Sequence, residues 1–156
     1  MILNRGKELT RLKLAGDEMR KKYLYHGSII AGIEEIEPRK RFIPAELVNE
    51  AKPAVYAADN PGYAAGHGFP WKSSEGFDIY EYEGKIVLKA PRKFKDRLKQ
   101  KLFVYKLPAK DFKLLKKDSL KTSIYFSYEK VRPISVKFFS SVKNALDFYN
   151  VKVVYV

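Results

Sequence analysis

Leu24-Tyr25-His26-Gly27-Ser28 is the stretch on which the reading of this chain turns. With Lys22-Tyr23 before it, an aromatic-rich segment runs into a Gly-Ser pair, the pattern of a strand entering a turn. A strand that ends this way sets an imidazole and an exposed backbone at a sheet edge, and glycine there lets a flat ligand approach the main chain. A neutral imidazole can donate to a sugar hydroxyl, and the Gly27 N–H and C=O can grip a carboxamide edge. A nearby tyrosine can stack on a ligand ring.

Working outward, Ala54-Val55-Tyr56-Ala57 reads as a second short strand. Asp59-Asn60-Pro61 supplies a cap-like turn into a small-residue helix over Gly62–Gly66. On the N-terminal side, Lys7 to Lys22 suits a short basic helix with Leu9, Leu12 and Met19 on one face, weakened by Gly16 by about 1 kcal/mol relative to Ala. Residues 29–53 are irregular, with Pro38, Pro44 and Pro53 as breakers and a helical turn expected at Pro44–Glu50. Beyond the helix, Phe77–Tyr82 and Lys85–Ala90 flank Glu83-Gly84 as a hairpin. Arg92–Lys101 reads as a helical turn or a basic loop, and Leu102–Leu107 as a strand closed by Pro108. Ser123–Tyr128, Ile134–Phe139 and Val151–Val156 have strand composition, and Ser140 or Ser141 caps a helix through Tyr149. Six to eight short strands with two or three helices, not regularly alternating, predict an α+β fold rather than a doubly wound parallel sheet. The expected division is a basic helix over residues 1–22 and one compact domain over residues 23–156.

Composition narrows the function classes. The chain has 156 residues, 46% hydrophobic and 14% aromatic, enough for one packed core. Its 31 Lys and Arg against 18 Asp and Glu leave a formal charge of +13, which suits an anionic partner. The absence of cysteine excludes a disulfide scaffold, a thiolate zinc site and a cysteine nucleophile. Only His26 and His67 are present, too few for a multi-histidine metal centre. The N-terminus lacks a signal-peptide pattern and no apolar run is long enough to span a membrane, so a cytoplasmic location is expected.

Three segments in order resemble the His–Tyr–Glu branch of the ADP-ribosyltransferase-like superfamily. Tyr25-His26-Gly27-Ser28 is similar to that branch's first-strand motif, and Val55-Tyr56-Ala57-Ala58-Asp59 with Tyr63-Ala64-Ala65 to its second strand and following helix. Leu102–Pro108 and Tyr125–Pro133 are similar to the C-terminal strands of small bacterial members. The resemblance implies a split β-sheet that binds NAD as a substrate and passes ADP-ribose to an acceptor. On that footing His26 bonds the nicotinamide ribose, Gly27 binds the carboxamide, and Ser28 supports the loop, with Tyr25 beside them. Tyr56 or Tyr63 stacks on the nicotinamide, Tyr63 being preferred for the stack and Tyr56 for the strand anchor. Many relatives carry glutamate just before the aromatic residue of the Tyr125-Phe126-Ser127 segment, whereas this chain has Ile124 there and Ser123 before it. Glu129 is the nearest carboxylate and the candidate third catalytic residue after His26 and Tyr56; Asp118 lies upstream and Glu75 is a loop substitute. The size suits a bacterial or phage toxin or effector.

Two rival readings follow. An RNA 2′-phosphotransferase-like enzyme belongs to the same superfamily, but its arginine-rich N-terminal lobe is missing. A catalytically inactive module that holds a nucleotide or nucleic acid is favoured by Ile124. The lysines and arginines of residues 89–121, interleaved with Phe94, Phe103 and Tyr105, form the candidate nucleic-acid region. Among the remaining features, Glu81-Tyr82-Glu83 reads as a solvated strand face, His67 between Gly66 and Gly68 as a mobile surface histidine, and Trp71 as a core or lid residue.

Overall fold

The computed structural model describes residues 22–39, 53–117 and 122–156. Among these, nine strands follow in order: β1 (Tyr23–Ser28), β2 (Val55–Ala58), β3 (Asp78–Tyr82), β4 (Lys85–Ala90), β5 (Leu102–Pro108), β6 (Lys113–Lys117), β7 (Ser123–Ser127), β8 (Ser135–Phe139) and β9 (Lys152–Tyr155). Helix α1 (Pro61–Gly66) follows β2, and α2 (Val142–Phe148) lies between β8 and β9. Two 3-10 segments, Ser73–Glu75 and Arg92–Lys99, flank the β3–β4 hairpin. The strands make a six-stranded antiparallel sheet in the order β6-β7-β2-β1-β5-β8 and a three-stranded mixed sheet, β3-β4-β9, with β9 parallel to β4. The fold is α+β, as the distribution of elements predicts.

Alternation along the strands builds two cores, one on each face of the large sheet. In β5, Leu102 and Val104 join a cluster with α1, α2 and the small sheet, among them Ala65, Phe77, Leu88, Val142 and Leu146. Tyr105 and Leu107, alternating with them, join Leu24, Ile36, Val55, Ala57 and Val131 on the opposite face. Each fully buried Leu or Phe contributes about 1.5–3 kcal/mol by leaving water. Tyr105 is buried with its hydroxyl satisfied: it donates to Ile30 O at 2.6 Å and accepts from Ile33 N at 3.2 Å, tying the loop after β1 over the second core.

The punctuation residues act as their chemistry requires. Asn60 Oδ1 accepts from the Gly62 and Tyr63 amides at 2.8 and 3.3 Å and starts α1, with Pro61 in the first turn. Ser141 Oγ accepts from Asn144 N at 3.0 Å and starts α2. Glu83 and Gly84 have φ of 49° and 77°, so both centres of the hairpin turn are left-handed, the geometry that matches strand twist. One strand was not expected. Lys113-Leu114-Leu115-Lys116-Lys117 forms β6 despite its lysines because it sits at a sheet edge, where charge is tolerated and discourages further pairing. The basic helix expected before residue 22 and the turn expected at Pro44–Glu50 lie outside the described residues. No described helix is long and apolar enough to cross a membrane.

The tightest packing in the fold is between β1 and α1. A Cβ on Gly27 would run into the Ala64 carbonyl oxygen and come within 2.9 Å of Gly68 Cα, so backbone meets backbone with no room for a side chain. Gly27→Ala is expected to cost about 1–3 kcal/mol through forced separation of α1 from the sheet. At about 2–4 °C per kcal/mol for a chain this size, thermal melting should fall by several degrees. An unchanged melting temperature would show that α1 can move without loss.

Candidate functional site

The six-stranded sheet opens at the residues singled out by the sequence. β1 pairs with β5 along its length, from Tyr23↔Pro108 to Ser28↔Phe103, but with β2 only at Tyr25↔Ala58. Past that rung the His26 ring takes the place of a ladder bond, its Nδ1 lying 2.8 Å from the Tyr56 carbonyl oxygen. A carbonyl only accepts, so Nδ1 carries the proton and Nε2 is the acceptor of the neutral ring. His26 and Tyr56 are thus joined, through the tyrosine's backbone.

Residues paired directly across antiparallel strands share a face. His26 stands level with Tyr105 of β5, with Ala57 of β2 and, beyond it, with Tyr125 of β7. Alternation sets His26 and Ser28 on the Leu24 face, and Tyr25, Gly27 and Tyr56 on the α1 face. Ser28 Oγ accepts from Ile30 N at 3.0 Å and so closes the turn after β1. On its α1 side, Gly27 meets the backbone of Ala64 and Gly68, so the space expected to admit a ligand is filled by protein there.

Tyr63 belongs to α1 and begins a seam of rings packed on the first core. Its centroid is 4.6 Å from His67, which stacks on Trp71 at 5.2 Å; Trp71 stacks on Phe77 at 5.7 Å, and Phe77 on Phe94 at 5.9 Å. His67 is accordingly a half-buried member of a stack and not a mobile surface residue. Trp71 is packed against the core, with its Nε1 donating to Gly66 O at 2.7 Å. The seam ends in Arg97, whose guanidinium lies 4.1 Å from the Phe94 centroid and grips Glu75 through two bonds of 2.9 and 2.6 Å.

The carboxylates fall out differently from their order in the sequence. Glu129 is exposed, its amide donating to Ser127 Oγ at 3.1 Å. It lies two residues beyond the end of β7, past Ser127, in the bend that follows the strand. Glu75 is occupied by Arg97, and Asp118 lies outside the described residues. Asp59, read from the sequence only as part of a turn, directly follows β2, two residues past Ala57. It is half-buried, and its Oδ1 accepts from Ser123 N at 2.8 Å, clasping β2 to β7. Its position depends on that pairing, for which the sequence carries no local signal.

The basic region is also redistributed. Arg92–Lys99 packs beside α2, Lys106 lies 4.1 Å over the Tyr23 ring, and Lys113 is on β6 at the far edge of the large sheet. Among the described residues of 89–117, these cations are therefore spread over a 3-10 segment, a central strand and an edge strand. Comparison with protein-family models, with curated proteins and with solved structures gives no significant match in any of the three.

The Glu75–Arg97 pair gives a pH test. The Arg97 hydrogen bond holds the Glu75 carboxyl below its ordinary value. The stabilisation is therefore present above the unfolded pKa of about 4.3 and is lost as pH falls through the lower folded value. Urea unfolding should find Glu75→Gln less stable than wild type at neutral pH, with the gap closing below about pH 4. A gap that stays constant into acid would mean the pair contributes nothing through its charge.

Proposed function

We propose that this chain is an ADP-ribosyltransferase-like domain that binds NAD where β1 and β2 part and transfers ADP-ribose to a macromolecular acceptor. The observation that carries the reading is the His26 lock. Beside Tyr25↔Ala58, where the pairing of β1 with β2 ends, the His26 ring is held by Nδ1 at 2.8 Å from Tyr56 O, which fixes its direction at the strand end where the ribose would lie. The main chain at Gly27 would take the carboxamide edge; Tyr63 and Tyr56 lie toward the α1 face, opposite His26, so the nicotinamide would have to enter the opening between β1 and β2 for a tyrosine, Tyr63 before Tyr56, to cover it. As the bond from ribose to nicotinamide breaks, positive charge grows on the sugar and a carboxylate near it lowers the barrier. Asp59 is preferred to Glu129 for that part, because it is half-buried and directly follows β2, the strand next to β1, whereas Glu129 is exposed beyond the end of β7.

A second reading, a module that holds the nucleotide without turnover, is favoured by Tyr125 on the His26 row and by the displacement of Glu129. Calorimetry with NAD and a labelled-NAD transfer assay separate the two. His26→Ala should abolish measurable NAD binding, and Tyr63→Ala should weaken it by about fivefold or more, the worth of a lost ring stack. Asp59→Asn keeps an acceptor for Ser123 N while removing the charge, so it should bind NAD as wild type does and lose transfer. Undiminished NAD binding by both His26→Ala and Tyr63→Ala would remove the pocket. A wild type that binds NAD but never transfers or hydrolyses it, across protein, RNA and DNA acceptors, would select the module.

A further inference from the structure

The residues Arg92–Lys99 form a 3-10 helix, in which three residues complete a turn and side chains three apart eclipse one another. Arg92, Lys95 and Leu98 therefore stand in one row, and Phe94 and Arg97 in another. The second row is held by the ring seam and by Glu75. The first row lines a cleft of about 600 Å3 whose other walls are Lys99, the start of α2 at Ser141 and Lys143, and Tyr155 of β9. These positions are far apart in sequence and are brought together only by the fold.

Four cations line the cleft and no carboxylate does. Lys99 is paired with Asp96 at 3.0 Å and Lys143 with Asp147 at 2.6 Å, so four cations against two carboxylates leave two positive charges in surplus. Among the described residues, Arg92 and Lys95 have no ion-pair partner. Ser141 Oγ accepts from Asn144 N, which leaves its own proton to donate. The floor is apolar: Leu98 is buried, and Tyr155 is half-buried against the first core. Cations around an apolar, aromatic floor suit a ligand that carries both phosphates and a planar ring. The volume suits a unit of nucleotide size.

We propose that this cleft binds single-stranded nucleic acid, with one base against Tyr155 and the flanking phosphates on Arg92, Lys95, Lys99 and Lys143. A single strand is required because only an unpaired base offers its face for stacking. The site is separate from the His26 pocket and does not rest on the reading of that pocket.

Fluorescence anisotropy with a labelled oligothymidylate of about ten nucleotides tests this at about 50 mM salt, where phosphate contacts are strong. The triple variant Arg92→Gln/Lys95→Gln/Lys143→Gln should bind about tenfold or more weakly, with the slope of log K against log salt reduced by about 2. The variant Lys110→Gln/Lys113→Gln/Lys130→Gln, an equal change of charge away from the cleft, should stay within about threefold of wild type. An abasic oligomer should bind wild type about tenfold more weakly than oligothymidylate, and Tyr155→Val should lower the second affinity but not the first. Circular dichroism melts confirm that each variant folds, and the abasic arm uses wild type alone. Equal losses from the two triple variants would overturn the proposal, as would abasic binding as tight as oligothymidylate. No binding at low salt would overturn it too. ATP bound at these residues and not displaced by oligothymidylate would assign the cleft to a free nucleotide and overturn it likewise.

Discussion

The contact between the Gly27 main chain and the backbone at Ala64 and Gly68 is the constraint from which most of the architecture follows. Two backbones can approach this closely only where neither carries a side chain between them, and glycine stands on both sides of the contact. That approach sets the height of α1 above the sheet and so the positions of Tyr63 and His67. Trp71, Phe77 and Phe94 then stack in sequence, each ring placed by the one before it. The end of the stack holds Phe94 and Arg97 on one row of the 3-10 helix and thereby turns Arg92 and Lys95 outward. An eight-residue 3-10 helix exceeds the usual three or four residues, and here tertiary contacts supply what its strained hydrogen bonds do not.

On the other side of β1 the same strand exchanges ladder pairing for a side-chain bond. A regular ladder between β1 and β2 would satisfy Tyr56 O with a backbone amide and close the sheet. The imidazole satisfies it instead, at 2.8 Å, and holds the strands apart. A half-buried ring in this position fixes its own tautomer, because exchanging the proton to Nε2 would set the Nδ1 lone pair against the carbonyl oxygen. The bond that props the sheet open is thus the one that orients the ring.

Much of the framework is legible in the sequence because it is written locally. Strand propensity locates β1, β2, β5, β7 and β8, Asn60 and Ser141 announce their helices, and Glu83-Gly84 announces its turn. His26 and Tyr56 are legible as partners because both lie on short strands at motif spacing. What is not legible depends on registers and stacks. Lys113–Lys117 has loop composition and becomes a strand because β7 offers it an edge. His67 between two glycines has nothing local to mark it as a stacked ring. Glu129 is the nearest carboxylate to Tyr125 in sequence, yet Asp59 is the carboxylate bonded to the start of β7, through Ser123 N, a contact made by the pairing of β2 with β7 and not by sequence separation. The linear lysine run suffers the same fate: successive segments go to a 3-10 helix, a central strand and a far edge.

The surplus of positive charge acquires meaning from where the acids go. Glu75, Asp96 and Asp147 each sit against a cation of the 3-10 helix or of α2, and Glu37 is 3.8 Å from Lys130. Apart from the part-buried Glu75–Arg97 pair these are exposed and stabilise little individually, and their effect is to neutralise particular cations and leave others. The cations left in surplus contribute to a field that attracts anions over roughly a Debye length, about 8–10 Å, and so raises encounter rates without choosing a ligand. Choice requires a fixed partner inside that field. On the two proposals made above, the partners would be of different kinds: the imidazole fixed against Tyr56 O, and an aromatic floor ringed by cations. The first would discriminate by the direction of a hydrogen bond and the second by the face of a ring, so one field could deliver anions to both while each selected by its own geometry.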